Sequence, residues 1–117
     1  MNDGQLVYPE LGRPPAPRVH PVVWRTNRLG PTVGATATQI LEADPRRVAL
    51  IIINPTVSPL YVFFDTSVSP TQGFHVAAGY GTLALNLGDD GPIVTGAWFA
   101  RIDAGTNDFV FLEGTAT

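Results

Sequence analysis

The chain has 117 residues, 44% of them hydrophobic, and no cysteine, which is enough for one domain with a real core and excludes a disulfide framework or a thiolate metal site. Its longest apolar run, Val48–Ile53, is far short of the ~20 residues a helical membrane span needs. The N-terminus, MNDGQLVYPE, lacks the basic and apolar parts of a signal peptide, so the sequence predicts a soluble protein made in the cytoplasm, with no membrane partner.

The net charge of −3 conceals an asymmetry. Residues 1–35 carry Arg13, Arg18, Arg25 and Arg28 against Asp3 and Glu10, whereas residues 36–117 carry three arginines against eight acids, giving +2 and −5. All seven basic residues are arginine, the side chain suited to planar, bidentate pairing.

Residues 1–35 hold six of the eleven prolines, so no helix can run through them, and Arg13–Arg18 (RPPAPR) reads as extended polyproline II. Leu6, Val7, Tyr8, Leu11, Val19, Val22, Val23, Trp24 and Leu29 are interleaved with the arginines, and such side chains want a surface. The segment is therefore expected to be an arm lying along another protein subunit. Trp24 would be its anchor, and Arg13, Arg18, Arg25 and Arg28 its polar contacts.

From Thr36 the pattern changes to short β segments. Thr36–Leu41 is a first strand and Glu42–Arg47 a polar turn. Val48–Ile53 and Leu60–Phe64, rich in β-branched and aromatic residues, flank a break with turn formers at Asn54, Pro55, Ser58 and Pro59, and together read as a β-hairpin at the heart of the domain. A Ser/Thr/Pro/Gly loop follows, then the short FHVAAG. Gly79–Leu87 alternates Leu83, Leu85 and Leu87 against Thr82, Ala84 and Asn86, the period-2 pattern of a half-buried strand. Gly88–Pro92 is a turn by composition, and Gly96–Asp103 and Asp108–Glu113 close the set. About seven strands at 8–12-residue spacing predict an all-β domain: a single small β-sandwich, jelly-roll-like, over residues 36–117, preceded by the extended Pro-rich arm of residues 1–35. Ile51, Ile53, Val62, Phe64, Leu85 and Phe111 are its expected core.

No catalytic constellation accompanies this pattern, so no enzymatic activity and no cofactor are expected. Asp89-Asp90-Gly91 could open a calcium loop, but Pro92-Ile93-Val94 supplies none of the further oxygen ligands. His20 and His75 are too far apart in sequence to suggest a shared metal. No G-x-S-x-G elbow surrounds any serine, and Gly79-Tyr80-Gly81 is followed by no helix that would cradle a phosphate. Tyr80, Trp98 or Phe99 could stack on a sugar, as in a carbohydrate-binding module, although a Trp–Phe pair within a strand reads first as core. A negatively charged body argues against nucleic acid as the partner of the arm.

The stretch from about Thr36 to Glu113 resembles the small β-sandwich virion structural proteins of tailed bacteriophages. The likeness is carried by an Ala/Thr strand, by Arg47 ahead of an aliphatic strand ending in Asn54, by Leu60-Tyr61-Val62, and by a late Gly96-Ala97-Trp98. The resemblance implies a virion protein that decorates or cements a capsid, or else a tail or head–tail joining component. Its partners would be other virion proteins, the major capsid protein or tail proteins, met as a homo-oligomer or symmetric array.

Overall fold

A computed structural model describes residues 21–116. Eight strands run in the order β1 (Val22–Thr26), β2 (Thr38–Leu41), β3 (Arg47–Asn54), β4 (Leu60–Phe63), β5 (Phe74–Val76), β6 (Gly81–Asn86), β7 (Trp98–Arg101) and β8 (Val110–Ala116). A single helical turn, α1 (Leu87–Asp90), and a 3₁₀ turn (Gly91–Thr95) lie between β6 and β7. The strands form two antiparallel sheets, ordered β1-β8-β3-β6 and β2-β7-β4-β5. Among the described strands only the β4–β5 connection stays within one sheet, and every other crosses between sheets. Eight strands wound in this way make a jelly roll, so the all-β sandwich expected from the sequence is the observed architecture.

The central hairpin is not. β3 pairs with β6 and β8, while β4 pairs with β5 and β7 in the opposite sheet. The cause is Asn54, fully buried at the end of β3. Its amide nitrogen donates to Ser58 O (2.7 Å) and Val76 O (3.1 Å), and its Oδ1 accepts from the Thr56 backbone N–H (3.1 Å) and hydroxyl (2.7 Å). A side chain bonded on four sides holds 55–59 as a corner over the end of the sandwich, where a hairpin turn would have kept both strands in one sheet.

Leu50 and Ile52 of β3, Leu85 of β6 and Phe111 of β8 face Ile40, Leu41, Leu60, Val62, Val76, Trp98 and Ala100 of the second sheet. Val33, Ile102 and Phe109 close the end near Asn54, and Val94 closes the other. Of the expected core, Val62, Leu85 and Phe111 are buried. Ile51 and Ile53 are half-buried on the outer face, and Phe64 is 42% exposed. The run Val48–Ile53, apolar at every position, gives no cue to which alternate set points inward, and here it is Leu50 and Ile52.

The domain also begins earlier than residue 36. β1 lies within the segment read as an arm, and Val33, fully buried, bridges Thr106. The expectation of an extended arm over 1–35 is thus corrected for 21–35, while residues 1–20 lie outside the described residues. The acids of Asp89-Asp90-Gly91 serve α1 locally. Asn86 caps it by accepting from the Asp89 N–H (2.9 Å), and Asp90 accepts from the Asn86 N–H (2.9 Å).

Before β6 the chain turns so tightly that a Cβ at Gly81 would sit 2.2 Å from the Ala77 carbonyl oxygen. Gly81→Ala must shift backbone, and a loss of about 1–3 kcal/mol is expected, read as a lowered urea midpoint.

Candidate functional site

β1 is held by pairing with the outer side of β8, from Val22↔Ala116 to Thr26↔Leu112. Asn27, in the left-handed region at φ +48°, then clasps the two strands: its amide nitrogen donates to Phe109 O (2.7 Å), and its Oδ1 accepts from the Phe111 N–H (2.6 Å). Asparagine tolerates this conformation better than most side chains, and its amide prolongs the ladder where the backbone turns away.

Every residue of β1 is exposed, and its apolar side chains lie on both faces. Val22 and Trp24 point outward, whereas Val23 lies on the core side, at 40% exposure. The Trp24 ring lies across Gly114, where a Cβ would come within 3.1 Å of two ring carbons. Glycine at that place in β8 lets the indole lie flat on the sheet while remaining 49% exposed.

From Trp24 the outer face continues through Leu112 and Val110 of β8, Ala49, Ile51 and Ile53 of β3, and Thr82, Ala84 and Asn86 of β6. The strand positions on this face carry no charged side chain. An antiparallel sheet with one side to water normally alternates apolar-in with polar-out, and a sheet apolar on both sides has a face to cover.

The arm cations separate into three cases. Arg25 is exposed and has no ion pair among the described residues. Arg28 turns back on its own domain, 3.7 Å from Glu42 and 3.6 Å from Glu113. Arg13 and Arg18 lie outside the described residues.

Arg47, marked in the sequence only by its place ahead of an aliphatic strand, has a role that the sequence did not show. Fully buried, its guanidinium donates to Glu113 Oε1 from Nε (3.1 Å) and Nη2 (2.9 Å), to Val94 O (3.1 Å) and Gly96 O (2.8 Å) from Nη1, and to Glu42 O from Nη2. The group ties β3, β8, the 3₁₀ turn and the end of β2 into one knot, to which Arg28 adds its charge from the rim.

An open hollow of about 320 Å³ lies between the 55–58 and 102–108 loops, with Asp108 its only charged lining residue. The Thr56 hydroxyl there donates to Asn54 Oδ1 (2.7 Å), and Thr106 Oγ1 accepts from the Asp108 N–H (3.1 Å). Among the described residues no three His, Asp or Glu side chains gather as a metal site. Trp98 is completely buried, which removes it as a sugar platform, while Phe99 faces outward, half-buried, and Tyr80 is 72% exposed.

The chain matches no known family model, no curated protein and no solved structure. The dominant feature of the described surface is the uncharged face edged by β1.

Proposed function

We propose that this protein is a structural component of a bacteriophage virion, a capsid decoration or cement protein that braces neighbouring subunits through its N-terminal segment. The observation that carries the reading is β1, an edge strand exposed at every residue, apolar on both faces and continuous with a sheet face that holds no charge. Such a surface favours burial against a large, flat partner and has little to offer a reaction. Residues 21–35 bear Arg25 and Arg28 and no acid, whereas 36–117 sum to −5, so the edge is the cationic part of an acidic body. The jelly roll is compatible with the reading without selecting it, since the same fold serves capsid proteins, lectins and enzymes. On a symmetric shell each modest contact is repeated many times, which suits a small domain.

Trp24→Ala combined with Arg25→Ala tests the proposal. Both side chains are exposed, so the variant should fold with a melting temperature close to the parent's, while losing about 2 kcal/mol or more of docking free energy if Trp24 is a central anchor. The expected result is reduced occupancy on purified particles and a lower threshold for heat disruption of the shell. Wild-type occupancy would refute the role of this edge. A copy number matching the tail, where the shell was expected, would move the protein to a joining role.

A further inference from the structure

The two outer faces of the sandwich differ in kind. The outer face of β2-β7-β4-β5 presents Gln39, Phe99, Arg101, Tyr61, Phe63 and His75. The register sets them side by side: Gln39 beside Phe99 and Phe99 beside Phe63 in one row, Arg101 beside Tyr61 and Tyr61 beside His75 in the next. The Tyr61 and His75 ring centroids are 5.6 Å apart. Where the first sheet's outer face is largely aliphatic and uncharged, this one is aromatic with polar tips.

Arg101 stands unpaired on this face. It is half-buried, and its guanidinium makes no hydrogen bond or ion pair among the described residues. No acid occupies a strand position on its face. The nearest acids along the two inner strands, Asp103 and Asp65, lie past the strand ends. Asp103 does not pair with Arg101, and Asp65 is engaged by the Ser67 hydroxyl and N–H, which lower its pKa. In a protein of net charge −3, an unpaired five-donor fork set among aromatic rings is complementary to an anion that also presents an apolar ring face.

We infer that this face binds an acidic sugar, a saccharide bearing a carboxylate. The carboxylate would pair with the Arg101 fork, as planar bidentate geometry favours. The C–H face of the sugar ring would rest on Tyr61 and Phe99, whose rings cover apolar surface, while the Tyr61 hydroxyl, His75 and the Gln39 Oε1, whose amide nitrogen is engaged with Leu41 O (3.4 Å), would meet sugar hydroxyls. The surface lies on the opposite side of the sandwich from β1 and its uncharged sheet face, so a protein docked through the latter would still present the former outward. The inference does not rest on the virion reading, and its test uses the isolated full-length chain.

The chain is titrated with tetragalacturonate, its neutral methyl ester, sialyllactose and poly-glutamate, with amide chemical shifts followed by NMR. Shifts should gather around Tyr61, His75, Phe99 and Arg101 for at least one of the two acidic sugars. The ester should bind about tenfold more weakly than tetragalacturonate if that is the sugar bound, the effect of losing one charge-assisted pair. Arg101→Gln should lose about tenfold for the bound sugar with its melting temperature unchanged. If that variant misfolds, Arg101→Lys, which retains the charge without the fork, should bind between the two. No shift with either acidic sugar, equal binding of acid and ester, undiminished binding by Arg101→Gln, or equal binding of poly-glutamate would each overturn the assignment, the last making the face an acidic-protein contact.

Discussion

Arg47→Ala is expected to lower the free energy of unfolding by about 3–5 kcal/mol, a large part of what a domain of this size has. Removing the guanidinium leaves the Glu113 carboxylate buried at 1% exposure with only Arg28, 3.6 Å away, to offset it. It also strips donors from the carbonyls of Val94, Gly96 and Glu42. The knot is costly to break and much cheaper to replace: Arg47→Met with Glu113→Leu, which removes both charges together, should recover most of the loss. Chemical denaturation of the two variants decides the matter. A double variant as unstable as Arg47→Ala would place the stabilisation in the bonds to the carbonyls, and a small effect of Arg47→Ala would show that water can reach Glu113.

Trp98→Ala should cost a comparable 3–5 kcal/mol for a different reason. The indole is wholly buried, with Phe74 at 5.8 Å and Phe64 edge-on at 6.2 Å between ring centroids. Its Nε1 also donates to Ile93 O (3.0 Å), fixing the 3₁₀ turn that carries Val94 into the core. Trp98→Phe should keep much of the apolar contact, lose this bond, and fall between parent and alanine variant. The chain has two tryptophans, which allows an optical check beside the denaturation curve. Acrylamide should quench the emission of Trp24, at 49% exposure, and spare that of Trp98. Quenching of both to one extent would contradict the assigned burial.

Strand positions were legible in the sequence because they depend on local composition. β3 and β4 each announce themselves by β-branched and aromatic runs between turn formers. Their pairing was not legible, because whether Asn54 begins a hairpin turn or a corner depends on Val76, twenty-two residues on, accepting its amide. β1 was hidden by the prolines around it and by having no buried residue, which removes the alternation that identifies a strand. Trp24 and Arg25 stood out by residue type, since an aromatic and an arginine in a proline-rich stretch have no core of their own to serve. Arg28 looked the same and was drawn inward by Glu42 and Glu113, partners far apart in the chain. Arg47 was noticed only through its place ahead of an aliphatic strand, with nothing near it to signal an acid sixty-six residues away. The aromatic face around Tyr61 and Arg101 exists only once β4, β5 and β7 are aligned.

The strand order also governs when the domain can form during synthesis. β8, the last strand of the fold to leave the ribosome, lies between β1 and β3, and β7 lies between β2 and β4. Until both emerge, β1 and β2 have no neighbour to pair with, and the nascent chain can offer only the partial sheets β3–β6 and β4–β5, each with an open apolar edge. A chain stalled before residue 98 is therefore a set of sticky ribbons without a folded half. Completion hangs on contacts between the first and last strands, the kind of long-range closure that makes folding slow. Premature termination within β7 or β8 should yield aggregate, with no shortened but soluble domain.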